Sequence, residues 1–164
     1  MERWRIYIRE ALGEVTFALR CWSDFRDAEE RTPAADVFFH LHHFILHATN
    51  VDKILSPKPG TRRSEILRDH VDLGVIDLKA CRRLRNHLEH FDERLDNWVE
   101  RYDGHAFFDR NVVTGATGFP EQAFLRALDG HTFKFHGESY DLDALRDTLE
   151  KLAEALERAN KSAG

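Results

Sequence analysis

The sequence predicts a mainly α-helical protein: an antiparallel helical bundle of four long helices and one short helix, with a small antiparallel β insert before the C-terminal helix. Apolar residues recur three and four positions apart along several segments, which is the spacing of a buried helix face. Proline- and glycine-rich clusters separate these segments. Two β-prone runs joined by Asp129-Gly130 predict the insert. The length of 164 residues suits one domain over residues 1–164.

The first two helices are expected over residues 3–27 and from Thr32-Pro33 to the cluster 56–60. Threonine caps helices well, and proline suits their first turn, so Thr32-Pro33 marks a helix start. The Ser-Pro-Lys-Pro-Gly cluster ends the second helix. The stripe that predicts the first helix is Trp4, Ile8, Ala11, Val15, Ala18, Trp22 and Phe25.

Three further helices are expected after this cluster. A short helix follows Ser64, a long helix spans residues 77–102 and stops at Asp103-Gly104, and the last helix covers residues 143–159. The apolar stripe of the long helix consists of Cys81, Leu84, Leu88, Phe91, Leu95 and Trp98. This stripe places a set of polar residues on the opposite side, namely Arg83, Asn86, His87, His90 and Arg94.

The β insert is expected over about residues 105–140. Asp129-Gly130 joins the β-prone runs 124–128 and 132–136 into a hairpin, and a third strand follows at 139–142. Phe107-Phe108 and Val112-Val113 are candidates for a further edge strand. Together these runs predict a β-meander.

The net charge of −5 argues against a protein that coats nucleic acid by bulk attraction. The segment 53–94 nevertheless carries 10 Lys/Arg against 7 Asp/Glu, so this part can meet a phosphate chain, or can simply be a solvated mixed-charge surface. Apolar stretches are too short to span a membrane and the start lacks a secretory pattern. We expect a cytoplasmic protein with no membrane partner, and two reduced thiols at Cys21 and Cys81.

Three histidines of the second helix, His40, His43 and His47, share one helical face. Imidazoles at this spacing are candidate metal ligands, which predicts a metal-binding bundle as one alternative. The other interpretation is that these rings pack at helix–helix contacts. The H-E-x-x-H pattern of metalloproteases is absent here.

A second group of candidate site residues lies on the long helix and consists of Arg85-Asn86 followed by Glu89-His90. An arginine, a polar residue and a histidine four to six positions after the arginine resemble the motif of the HEPN superfamily (higher eukaryote and prokaryote nucleotide-binding domains). Among the arginines that a histidine follows within seven residues, only Arg85 is followed directly by the small polar amide that this superfamily prefers. The all-helical chain before the motif is also similar, whereas the β insert departs from the general pattern of the superfamily.

The resemblance implies a metal-independent endoribonuclease without a cofactor, and a role in toxin or defence systems with an antitoxin partner. It implies that His90 is the acid/base and Arg85 steadies the phosphate, with Asn86 and Glu89 orienting them. Chemistry agrees, because histidine transfers protons near neutral pH and the arginine fork matches phosphate oxygens. Asn86 lies one helical turn from His90, and Arg85 has the same relation to Glu89.

Arg85 and His90 lie about 140° apart around a straight helix, so one copy cannot easily grip a phosphate with both. This separation predicts a homodimer through the motif helix, as the resemblance also implies. Two other interpretations stay open. The run is a salt-bridged surface helix, or the chain is a non-catalytic helical dimer that binds nucleotide or a partner protein.

Overall fold

The computed structural model describes residues 2–31, 33–74, 76–102, 109–113 and 124–161. The protein is mainly helical, with a small four-stranded sheet before the C-terminal helix, as the sequence predicts. The described helices are α1 (Arg3–Arg31), α2 (Ala34–Leu55), α3 (Arg62–His70), α4 (Lys79–Glu89), α5 (Phe91–Glu100) and α6 (Leu142–Lys161). The described strands are β1 (Asp109–Val113), β2 (Arg126–Asp129), β3 (Thr132–Phe135) and β4 (Glu138–Asp141).

The core forms where α1 packs along α2 and α6, and where α4 packs against α2. Every residue of the predicted α1 stripe is buried, from Trp4 to Phe25. Burial of such side chains contributes about 1.5–3 kcal/mol each for the larger ones, which explains why the spacing predicts this helix well. Within the described helices, no stretch has both the length and the apolar character needed to cross a bilayer.

The helix starts follow local chemistry. Helix α2 begins at Ala34, directly after Pro33, while its expected cap Thr32 lies outside the described residues. Helix α3 starts slightly before the expected Ser64, because the Thr61 side chain accepts a hydrogen bond from the Ser64 backbone N–H at 3.3 Å. The expected stop at Asp103-Gly104 lies outside the part of the chain that the structure describes.

The predicted long helix over residues 77–102 is two helices, α4 and α5, separated at His90. His90 has φ −115° and ψ 36°, outside helical geometry. No proline or glycine marks this interruption. Asp92 and Glu93 lie in the first turn of α5, where carboxylates stabilise a new helix N-terminus. The count of four long helices is therefore a correction: among the described helices, α1, α2 and α6 are long.

His87 is buried, with 4% of its surface exposed, although the stripe places it opposite the core. The reason is tertiary: the sheet covers this side of α4, and the His87 ring stacks on Phe135 at 4.9 Å between ring centres. Helix α5 differs, since none of its residues is buried. Leu95 and Val99 of its apolar face are 37% and 56% exposed.

The sheet has the strand order β1-β2-β3-β4. Strands β2, β3 and β4 form the predicted antiparallel meander, and Asp129 pairs with Thr132 around the Gly130 turn. Strand β1, which includes Val112-Val113, pairs with β2 in parallel and corrects the expectation of a purely antiparallel insert. Residues 114–125 connect them, and a connection of that length permits a parallel crossover. Phe107-Phe108 lies outside the described residues.

Candidate functional site

A fully buried carboxylate anchors the motif arginine. Asp52 lies on the buried face of α2 with 0% exposure. Its Oδ2 atom is 2.9 Å from Arg85 Nη1, and its Oδ1 atom is 3.3 Å from Arg82 Nη2. A buried carboxylate is costly unless it is paired and hydrogen-bonded, so these two arginines of α4 are fixed against α2 by Asp52.

The Glu89 carboxylate contacts basic side chains from two helices, α2 and α4. Its Oε1 atom is 2.7 Å from Lys53 Nζ on α2, and its Oε2 atom is 3.7 Å from Arg85 Nε. The second contact is the ion pair that the spacing of Arg85 and Glu89 predicts. The hydrogen bond from Lys53 lowers the pKa of Glu89, and the charges of Lys53, Arg85 and His90 add to this effect. The charges of Arg85 and His90 therefore both favour the ionised form of the Glu89 carboxylate.

His90 lies at the junction of α4 and α5, and its ring contacts the Glu93 carboxylate. Its Nδ1 atom is 3.2 Å from Glu93 Oε1, and 48% of its side chain is exposed. Among the described residues, no hydrogen bond is made by His90 Nε2. A carboxylate at one ring nitrogen favours the tautomer with its N–H there, which leaves the other nitrogen with a lone pair for proton transfer.

Asn86 is exposed, and its carbonyl accepts the backbone hydrogen bond of His90 at 3.2 Å. The contact that orients the His90 ring comes from Glu93, whereas the sequence predicts it from Asn86. His90 is the C-cap of α4 and its N–H still makes the helical hydrogen bond to the Asn86 carbonyl, so the interruption begins after the span from Arg85 to His90.

The cluster around Arg85 keeps an excess of positive charge. Lys53, Arg82 and Arg85 supply three cations, against the two carboxylates of Asp52 and Glu89, so one positive charge is unmatched. Lys53 and Arg82 are about half exposed. A half-exposed cluster with net positive charge attracts an anion such as a phosphate group.

The three helix-two histidines do not converge on a common point. His43 Nδ1 lies 2.8 Å from the Phe39 carbonyl oxygen, and His47 Nδ1 lies 2.8 Å from Glu14 Oε2. The ring of His40 packs edge-on against Phe39. In the described parts of the chain, no group of three or more His, Cys, Asp or Glu residues is placed to hold a metal ion.

Sequence reasoning does not find Asp52, Lys53 or Glu93 as site residues. The sequence does hold an indication for Asp52. It falls at the helical spacing of the buried α2 residues Ile45, Ala48 and Leu55, and it is the one charged residue at these positions. Lys53 carries no signal, since its partner Glu89 lies on another helix.

A second polar cluster joins α4 to β4 around Glu138. Its Oε2 atom accepts a hydrogen bond from Tyr140 at 2.7 Å and lies 3.5 Å from Arg83 Nε, while its Oε1 atom is 3.4 Å from His87 Nε2. Burial and the neighbouring Glu138 raise the pKa of Tyr140. This cluster fixes the sheet against the motif helix.

Neither a protein-family model, nor a curated protein, nor a solved structure matches this chain. The resemblance to the HEPN superfamily therefore stays a prediction from the sequence.

Proposed function

We propose that this protein is a HEPN-like, metal-independent endoribonuclease that cleaves RNA through its own 2′-hydroxyl group. The observation that carries the proposal is that the two proposed catalytic side chains, Arg85 and His90, are each paired with a carboxylate. Asp52 and Glu89 hold Arg85, and Glu93 backs His90. A fixed guanidinium and an imidazole that can accept a proton are the two groups that this reaction requires.

In the proposed reaction, His90 Nε2 accepts the proton of the 2′-hydroxyl. The 2′-oxygen then bonds to phosphorus while the bond from phosphorus to the 5′-oxygen breaks. The leaving 5′-oxygen takes up a proton, which gives a 2′,3′-cyclic phosphate and a 5′-hydroxyl end. Arg85 stabilises the negative charge on the phosphate oxygens, and Lys53 adds positive charge beside it. In a homodimer, the second His90 supplies the proton donor.

One observation favours a second candidate function. Arg85 already contacts two carboxylates, and its side chain is only 25% exposed, so it can serve to join α4 to α2. The protein would then bind RNA or nucleotide through the excess positive charge of the cluster without cleaving it. Binding without cleavage distinguishes this candidate from the nuclease.

The test is an incubation with single-stranded RNA in EDTA, followed by analysis of the new ends. Wild type should give 2′,3′-cyclic phosphate ends. His90→Gln and Arg85→Lys should each lower the rate at least about 100-fold, since general acid–base catalysis contributes about 10²–10⁴-fold. The lysine keeps a charge near Asp52 but loses the planar fork.

The controls are His40→Gln and Arg20→Lys, which change the same residue types elsewhere on α2 and α1. Thermal unfolding of each variant must show that it is folded. Cleavage that persists in His90→Gln and Arg85→Lys would contradict the assignment of the site. RNA binding without cleavage by wild type would instead support the non-catalytic function.

A further inference from the structure

A cavity of about 640 Å³ lies between α2, the α4–α5 junction and the sheet. This volume is typical of small-molecule sites, which range over about 300–1,000 Å³. Of its 13 lining residues, 10 are apolar, five of these being phenylalanines. Two of the apolar residues, Phe39 and Leu46, are 58% and 37% exposed, so part of the apolar wall faces solvent.

The polar side chains among these lining residues are His42, Arg110 and Arg126. Arg126 is already neutralised, because its Nε and Nη2 atoms donate to the two carboxylate oxygens of Asp109 at 2.9 and 2.8 Å. Arg110 is 62% exposed and its Nε lies 3.5 Å from the same carboxylate. Among the residues that the structure describes here, two guanidiniums thus share one carboxylate, which leaves one positive charge at this edge of the cavity.

Arg110 also adopts an unusual backbone conformation. Its φ of 54° is in the left-handed region, and it is skipped in the pairing of β1 with β2, where Asp109 and Asn111 have partners. A non-glycine residue at such a bulge is strained, and bulges near binding sites direct a side chain to a particular place. The bulge lies at the edge of the cavity that the Arg110 side chain lines.

We propose that this cavity binds an apolar small molecule that carries a single carboxylate, with the carboxylate paired to Arg110 and the hydrocarbon body against the phenylalanine wall. A nucleotide suits the cavity less well. Its base edges carry several donors and acceptors that an apolar wall leaves unpaired. The ligand class is independent of the proposed nuclease activity.

Binding is tested by calorimetry with octanoate, with 1-octanol as the uncharged ligand of the same length, and with AMP as the nucleotide. Octanoate should bind more tightly than octanol, and AMP should not bind.

Leu46→Trp should weaken octanoate binding at least about tenfold because the larger ring fills the cavity, whereas Ile6→Trp on the exposed face of α1 should leave octanoate binding unchanged. Arg110→Ala should weaken octanoate about two- to fivefold and leave octanol unchanged, as for an exposed ion pair. Arg20→Ala is its control.

Arg110→Gly adds a readout that folding defects cannot mimic. It should lose octanoate affinity like Arg110→Ala, yet unfold at a higher temperature than the alanine variant, because glycine accepts the positive φ. Absence of octanoate binding by wild type would overturn the proposal. So would equal effects of Leu46→Trp and Ile6→Trp, an unchanged octanoate affinity in Arg110→Ala, or tighter binding of AMP than of octanoate.

Discussion

At the scale of single residues, His87 shows how a polar side chain becomes part of a core. Its ring lies on Phe135, and its Nε2 atom is 3.4 Å from Glu138, while its buried Nδ1 atom has no hydrogen-bond partner among the described residues. Burial lowers the pKa of His87, an effect that Arg94 and His136 reinforce and Glu138 opposes. The neutral imidazole is therefore the form that the folded protein favours.

The lowered pKa of His87 predicts that acid destabilises the fold. The unfolded chain, with the ordinary value of 6.5, binds the proton more readily than the folded chain. Stability from this group is present above pH 6.5 and is lost as the pH falls below it. Between pH 7.5 and 5.5, we expect His87 to contribute a decrease in the free energy of unfolding.

Urea unfolding at the two pH values measures this difference. His87→Gln should show a smaller decrease than wild type, since the titrating ring is gone. Leu84→Ala, a buried variant on the same helix without a titrating group, should keep the wild-type decrease. An undiminished decrease in His87→Gln would contradict the assignment of this pH dependence to His87.

At the scale of elements, the sequence identifies helices and strands better than it identifies interruptions. The stripe of α1, the last helix and the hairpin at Asp129-Gly130 are found as predicted. The interruption at His90 carries no proline or glycine and was not predicted. It depends on packing, because Phe91 packs against the core and Arg126 of the sheet lies over its ring at 4.6 Å.

The turn between β3 and β4 gives a prediction about this element. His136 and Gly137 have φ values of 48° and 83°, as in a two-residue turn that favours Asn-Gly. His136→Asn should therefore raise the free energy of unfolding by about 0.5 kcal/mol, because asparagine tolerates positive φ better.

Thermal unfolding at pH 8 measures the change in the turn without histidine titration dominating. Gly137→Ala is the opposing variant and should lower stability by about 1 kcal/mol or more, since alanine is strained at positive φ. Equal stability of the two variants would show that the turn geometry is not what fixes this hairpin.

At the scale of the whole molecule, α5 presents an apolar face without a buried residue. Leu95, Val99 and Tyr102 are between 37% and 56% exposed, directly after the motif. Leu95 and Val99 are one helical turn apart on α5 and Tyr102 follows its end, so this is the surface where we expect a second copy to pack in the proposed homodimer. This face supports the proposed homodimer through the motif helix, in addition to the angular separation of Arg85 and His90.

We expect the wild-type protein to sediment as a dimer, and Val99→Glu to raise the dimer dissociation constant at least about tenfold. A carboxylate placed in an apolar interface loses hydration without gaining a partner, which accounts for this size of effect. Ile6→Glu, at a comparably exposed apolar residue of α1, should sediment like wild type. A monomeric wild type, or equal effects of both variants, would contradict this interface.

In the candidate site, as in the fold, the sequence predicts contacts within one helix but not contacts between helices. The pairing of Arg85 with Glu89 was predicted, because both residues lie on one helix and helical spacing fixes their separation. The contacts of Asp52 with Arg85 and of Lys53 with Glu89 were not predicted, because they form only when α2 packs against α4. Glu93 reaches His90 only across the junction of α4 and α5.

The sequence by itself determined the helical stripes, the hairpin turns and the Arg85–His90 motif, since these follow from periodicity and backbone preferences within a few residues. Only the tertiary structure decided which polar residues are buried, where the motif helix is interrupted and which way β1 runs. These depend on contacts between residues distant in the chain, such as Asp52 with Arg85 and His87 with Phe135. Local sequence patterns do not specify which distant surfaces pack together.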